Sequence, residues 1–209
     1  MELTAAEPRR KSLTQLYLDG EPGPKIDTEV FVLSRLKPGD EVTQEELLEL
    51  VERSDARRAR EKALYLLEHR AHSKRELTDK IARTASSREA AQAAADHLEE
   101  IGLIDDRAYG ESYARELFLR KRFGARRVRQ ELARKGIDRV IIDQVLSQYQ
   151  EDGGEGAMAG ENIALVLSKK YPLWREDEKV RRRAVAALQR LGYTYGQIQG
   201  VMGELDEME

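Results

Sequence analysis

Few residues of this chain have a type and spacing suited to covalent chemistry. His69 and His72 stand three apart, a spacing that can set two imidazoles on one helix face as metal ligands. The chain has no cysteine and offers no obvious third ligand beside them, so a zinc site lacks its coordination set. Asp105-Asp106 resembles a metal-binding pair, but it stands just before a helical stretch, where an aspartate caps free backbone N–H groups. Gly154-Glu155-Gly156-Ala157-Met158-Ala159 fits a glycine-rich dinucleotide pattern on paper, yet it does not follow a strand. Gly160 is followed by Glu161, where a P-loop needs lysine. No serine, histidine and aspartate are spaced as a nucleophilic triad. The sequence therefore predicts a protein that is not an enzyme, needs no cofactor or metal, and works by binding.

The residues suited to binding are concentrated between positions 119 and 139. Arg120, Lys121, Arg122, Arg126, Arg127, Arg129, Arg134, Lys135 and Arg139 face only Glu131 and Asp138 in that window, an excess of seven positive charges. The whole chain has a formal net charge of -3, so the excess is local. Such a surface neutralises phosphates and releases counterions, or meets an acidic protein face. A charge run is more often a solvated helix face, but carboxylates at i+4 are scarce in this one. Phe118 and Phe123 flank the run; their helical spacing makes them core residues before stacking platforms. A second basic cluster is Lys179, Arg181, Arg182 and Arg183, and a third is Arg57, Arg58, Arg60 and Lys62. The acidic end, Glu204 to Glu209, is expected to be a solubilising tail or to fold back on a basic face.

What must position these residues is mostly helix. With 40% hydrophobic, 36% charged and only 6% aromatic residues, the 209-residue chain suits short amphipathic helices with wide wet faces. No apolar run is long enough for a signal peptide or membrane span, which predicts a cytoplasmic protein. Residues 1 to 11 are expected to be a loose basic arm. Leu13 to Leu18 is expected to be a strand closed by Asp19-Gly20, with Pro22 to Pro24 prolonging the turn and Lys25-Ile26-Asp27 returning. Thr28 is expected to cap a short helix that ends at Lys37-Pro38-Gly39, completing a small β-containing module over residues 1–42. Further on, Thr43 with Glu46, Ser73 with Glu76, and Thr194 with Gln197 have the spacing of helix-capping pairs.

The chain also repeats itself. A shift of 51 lays Ala63 on Ala114, Leu66 on Leu117, Leu77 on Val128, Ile81 on Leu132 and Ser87 on Asp138. A shift of 56 lays Val128 on Ala184, Leu132 on Leu188, Gly136 on Gly192, Asp138 on Thr194, Ile142 on Ile198 and Val145 on Val201. Three tandem three-helix repeats follow, over residues 43–104, 105–150 and 151–209, the last including a glycine-rich link and the acidic tail. Stacked units of this length predict a mainly α, elongated, curved array, and a monomer.

Several of these stretches resemble the bacterial RecX family. They are Gly102-Leu103-Ile104-Asp105-Asp106 with Tyr109, Ser112 and Tyr113, and Gly124-Ala125-Arg126-Arg127-Val128-Arg129-Gln130-Glu131-Leu132 running into Lys135-Gly136-Ile137. Ala63 to Leu67 with His72 to Leu77 fits the first unit, and Leu191-Gly192-Tyr193-Thr194-Tyr195 the last. The resemblance covers about residues 57–205. Two stretches depart from it: the small-residue run Ala91-Gln92-Ala93-Ala94-Ala95 and the glycine-rich link Glu151 to Gly156. The resemblance implies a regulator that lodges in the RecA–DNA filament and limits its growth, strand exchange and co-protease activity. A different class remains open. Ser73 to Arg83 followed by Ser87 to Gly102 can be read as the helix-turn-helix of a transcription regulator, which would show sequence preference and usually dimer symmetry. A helical scaffold without nucleic acid is a third possibility.

Overall fold

The computed structural model describes residues 1–85, 87–151 and 154–207. The chain forms two compact units, Met1–Ile104 and Asp105–Glu209.

The first unit opens with three antiparallel strands in sequence order: β1 (Leu3–Arg9), β2 (Leu13–Leu18) and β3 (Glu21–Asp27). The loose basic arm is thus replaced by a strand. β1 pairs with β2 from Leu3 opposite Leu18 to Arg9 opposite Leu13. Leu3 is fully buried, and the cations Arg10 and Lys11 lie in the hairpin that follows, so the basic residues mark a turn and not a free arm. Pro22 and Pro24 do not prolong a turn; they lie in β3. That strand is at the edge of the sheet, where a missing ladder N–H is tolerated. Asp19 and Gly20 both have positive φ, 50° and 85°, the pattern of a two-residue hairpin turn.

Helix α1 (Thr28–Ser34) is capped by Asp27, whose carboxylate accepts from the N–H groups of Glu29 and Val30. The expected cap, Thr28, is the first helical residue. The helix stops at Arg35, with φ 62°, before Lys37-Pro38-Gly39. Leu3, Leu16, Ile26, Val30 and Val42 share one core with Leu50, which belongs to the long helix α2 (Gln44–His69). Arg57 of α2 reaches Asp27 at 3.2 Å and also pairs with Glu29 and Glu61. The sheet is therefore fastened to the first repeat by both apolar and ionic contacts.

Repeat one is α2, α3 (Lys74–Ile81) and α4 (Arg88–Glu100). The small-residue run of α4 meets small residues of α2. Ala91, Ala94 and Ala95 lie in one core with Ala59 and Ala63, which lets the helices approach closely with little volume to fill. Repeat two is α5 (Asp106–Leu119), α6 (Ala125–Arg134) and α7 (Arg139–Glu151). Repeat three is α8 (Gly154–Lys170), α9 (Glu178–Arg190) and α10 (Tyr195–Glu207). The aligned core positions match in burial: Leu77, Val128 and Ala184 are each 0% exposed, as are Ile81, Leu132 and Leu188. Gly102, Gly136 and Gly192 follow α4, α6 and α9 with φ between 75° and 99°, a left-handed backbone that favours glycine.

Caps fix the helix starts. Thr43 and Glu46 close a reciprocal box, as do Thr194 and Gln197. The Ser73 hydroxyl accepts from the Glu76 N–H, and Asp105 accepts from Ala108. Asp105 is thus a helix cap, as its position suggested. The run from Gly154 to Ala159 lies within α8 and does not form a phosphate loop. Asp152 and Gly153 of the expected link, and Met208 and Glu209 of the tail, lie outside the described residues.

Candidate functional site

The second unit is built around a close approach of repeats two and three. Gly124, at the start of α6, donates its N–H to the carbonyl of Leu191 at 2.8 Å. A Cβ on Gly124 would stand 2.6 Å from the Gly192 carbonyl oxygen, and one on Gly192 would stand 2.5 Å from the Arg127 backbone nitrogen. Backbone meets backbone here, so neither glycine has room for a side chain. Beside this contact Asn162, almost wholly buried, donates to the Phe118 carbonyl at 3.2 Å. Its Oδ1 accepts from the Arg122 guanidinium at 2.7 Å. The Tyr193 hydroxyl donates to the Arg122 carbonyl at 2.9 Å, and burial pushes the Tyr193 phenol up to about 12.

The basic window divides in this setting. Arg122 belongs to the joint: it is half-buried, has φ 56° and is bonded to Asn162. Arg120 and Lys121 are exposed at the end of α5 and have no ion pair among the described residues. Arg127 pairs with Glu131 at 2.6 Å and lies over the Phe123 ring, 5.6 Å from its centroid. Arg134 also reaches Glu131, at 3.5 Å, while Lys135 lies over Tyr113 at 5.6 Å. Arg129 and Arg139 both pair with Asp143 of α7. Carboxylates are therefore less scarce than the window suggested. Asp143 stands one turn beyond its end, and Glu131 serves two arginines. Arg126 is exposed and has no ion pair among the described residues.

The second cluster divides the same way. Arg181 lies over the buried Trp174 ring at 5.6 Å and reaches Asp206 at 3.8 Å. Arg175 joins them, 5.0 Å from the same ring and 3.3 Å from Asp206. Asp206, in the last turn of α10, thus folds back on two arginines. Arg182 pairs with Glu178 at 3.0 Å, and Lys179 and Arg183 are exposed without an ion pair among the described residues. In the third cluster, Arg57 belongs to the fastening of the sheet. Arg58 and Lys62 line a cleft of about 540 Å³ with Lys11, Asp27, Asp55 and Glu61, where the charges balance.

A cleft in the second unit departs from this balance. Arg126, Arg127 and Gln130 of α6 line it on one side; Gln189, Arg190, Thr194 and Tyr195 of repeat three line it on the other, around about 450 Å³. No carboxylate is among its described lining residues. Arg190 and Tyr195 escaped the sequence reading because they fall outside the dense charge run. The available signal was the Tyr193-Thr194-Tyr195 alternation about a cap, which buries Tyr193 and leaves Tyr195 60% exposed.

His69 and His72 do not share a helix face. His69 ends α2 and bonds the Tyr65 carbonyl, while His72 is buried in the loop before α3. No group of three or more metal-ligating side chains gathers among the described residues. No described helix is long and apolar enough to cross a membrane. The helix-turn-helix reading would present α4 to DNA, but its exposed residues include Glu89, Glu99 and Glu100, which repel phosphates.

Three-helix repeats behind a small sheet, with an open basic face, define a helical-repeat protein suited to binding. The family model for the second three-helix domain of RecX matches residues 105–146. A regulatory protein RecX of Chlorobium phaeobacteroides is 31% identical over 134 residues, covering 64% of this chain and 83% of that protein. Another, of Levilactobacillus brevis, is 29% identical over 177 residues, 83% of this chain and 66% of that protein. The crystal structure of a regulatory protein RecX matches the fold with a TM-score of 0.69 at 21% identity, covering 97% of this chain and 98% of that one. The chain belongs to the RecX family.

Proposed function

We propose that this protein is a non-enzymatic modulator of the RecA recombinase. It binds the RecA–DNA filament in the cytoplasm, as a monomer, and limits filament extension, strand exchange and co-protease activity. The observation that carries this reading, beside family membership, is the exposed basic face of α6, where Arg126 has no carboxylate partner among the described residues. Such a face is fitted to DNA phosphates or to carboxylates of the filament. Nucleotide hydrolysis belongs to the partner, and no cofactor is needed.

The test is RecA ATPase on single-stranded DNA, titrated with this protein. Hydrolysis should fall as the protein is added. The triple variant Arg126→Glu, Arg127→Glu, Arg129→Glu should keep its helical spectrum and lose the inhibition. An ATPase rate that does not change at molar excess of the folded protein would overturn the proposal.

A further inference from the structure

We infer that the cleft between α6 and the turn joining α9 to α10 is a binding site for single-stranded nucleic acid, one nucleotide of which seats in it with its base on Tyr195. The inference rests on the DNA-contacting part of the function proposed above and names the residues that would make the contact.

Three observations carry it. First, the cleft is cationic and compensated only in part: Arg127 pairs with Glu131. Arg126 and Arg190 line it, neither has an ion pair among the described residues, and no carboxylate is among its described lining. Two other grooves hold their own acids: Arg58 and Lys62 share theirs with Asp55 and Glu61, and Arg129 and Arg139 share theirs with Asp143. A third, lined by Arg9, Arg10 and Lys25, holds no acid but has no aromatic ring among its described lining. Second, Tyr195 stands on its wall at 60% exposure, although large aromatic side chains ordinarily gain by burial. An exposed ring beside unpaired guanidiniums is the pairing that binds a backbone phosphate and stacks a base. Third, the walls are held in fixed register. The Gly124 N–H bonds the Leu191 carbonyl at 2.8 Å, so Arg126 and Tyr195 are positioned by rigid backbone.

At about 450 Å³ the cleft has the size of a site for one small ligand or one nucleotide. A duplex keeps its base faces stacked and out of reach of Tyr195. An acidic peptide would use the arginines and leave the ring idle. Gln130 and Gln189 add amide donors and acceptors that suit base edges as well as phosphate oxygens.

Two fluorescent probes test the site by anisotropy with the full chain and no RecA: an oligothymidylate of about ten nucleotides and an abasic phosphodiester oligomer of equal length. Tyr195→Ala should weaken oligothymidylate binding roughly tenfold and leave the abasic oligomer unchanged. Tyr195→Phe should retain binding of both. Arg126→Gln and Arg190→Gln should weaken both probes and each lower the salt slope by about 0.7. Thermal melts followed by circular dichroism confirm that every variant is folded. The inference is overturned if folded Tyr195→Ala binds oligothymidylate like the parent. It is equally overturned if polyglutamate displaces the oligomer as well as unlabelled oligothymidylate does, which would mark an acidic-protein site. If the oligomer binds through Tyr195 but RecA ATPase is untouched, the site stands and the RecA reading alone falls.

Discussion

Helices α3 and α6 hold the same place in successive repeats and are anchored by equivalent residues. Leu77 and Ile81 in one, and Val128 and Leu132 in the other, are each fully buried. Their polar residues behave in opposite ways. At α3, the Ser73 hydroxyl caps the helix, Arg70 pairs with Glu76 at 2.6 Å, and Lys74 reaches both Asp96 and Glu99 at 2.6 Å. At α6 there is no side-chain cap, no acid in the first turn, and an Arg126 without an ion pair among the described residues. The backbone of repeat three supplies the contact at the helix start. Packing positions define the repeat, while surface positions are free to be neutralised in one copy and left open in another.

The largest effects should be the same at both helices. Ile81→Ala and Leu132→Ala each remove a fully buried side chain and should cost about 2–5 kcal/mol in urea unfolding. A much smaller loss at α6 would mean that its core relaxes as that of α3 does not.

A second substitution should separate the two. Serine is a good N-cap and serves α3 well at position 73. Gly124→Ser should instead destabilise the protein by about 1–3 kcal/mol, because the new Cβ would stand 2.6 Å from the Gly192 carbonyl oxygen. Gly192→Ala should do the same, and a φ of 99° adds backbone strain. Thermal melts would detect both losses. A stabilised Gly124→Ser would show that the two repeats are not in backbone contact.

A third effect is smaller. Ser73→Ala should cost about 1 kcal/mol, the ordinary penalty for losing a cap that accepts from one backbone N–H. Urea midpoints compared at equal slope would measure it.

This contrast also accounts for what could be read from the sequence. Caps and core positions follow local rules, so the Thr43–Glu46 box and the aligned Leu77, Val128 and Ala184 could be recognised by spacing. The arm that became β1 could not, because Leu3 is buried by pairing with Leu18, fifteen residues away, and short strands have weak local signals. Charge counting picked out α6 as a basic helix but could not tell free cations from bound ones. Arg122 is bonded to Asn162, forty residues on, and Arg129 to Asp143, beyond the dense run. One cue was present and unused. Asn162 sits between Ala159 and Ile163 on the apolar stripe of α8, and a buried amide at a core position must find partners. Arg190 and Tyr195 come together with Arg126 only through the contact of two glycines, Gly124 and Gly192, that no periodicity reveals.

The smallest predicted effect concerns His72, just before the cap of α3, where α6 has no titratable counterpart. His72 is buried, and its Nδ1 lies 3.4 Å from a Glu76 carboxylate oxygen without a hydrogen bond. Burial lowers its pKa, and the positive charges of Arg70 and Lys80 lower it further; Glu76 opposes them. The folded protein thus binds a proton there less readily than the unfolded chain, whose histidine keeps the ordinary value of 6.5. Well above that value both states are neutral at this position and folding releases no proton. As pH falls below 6.5 the unfolded state takes up the proton first, so stability is lost until the folded-state pKa is passed. Urea midpoints should therefore decline from about pH 7.5 to about pH 5.5, above the range where most carboxylates titrate. His72→Gln keeps a polar side chain that does not titrate, and its decline should be shallower than the parent's. If parent and variant decline in parallel, His72 does not couple proton uptake to folding, and the closed network at the start of α3 is indifferent to pH in this range.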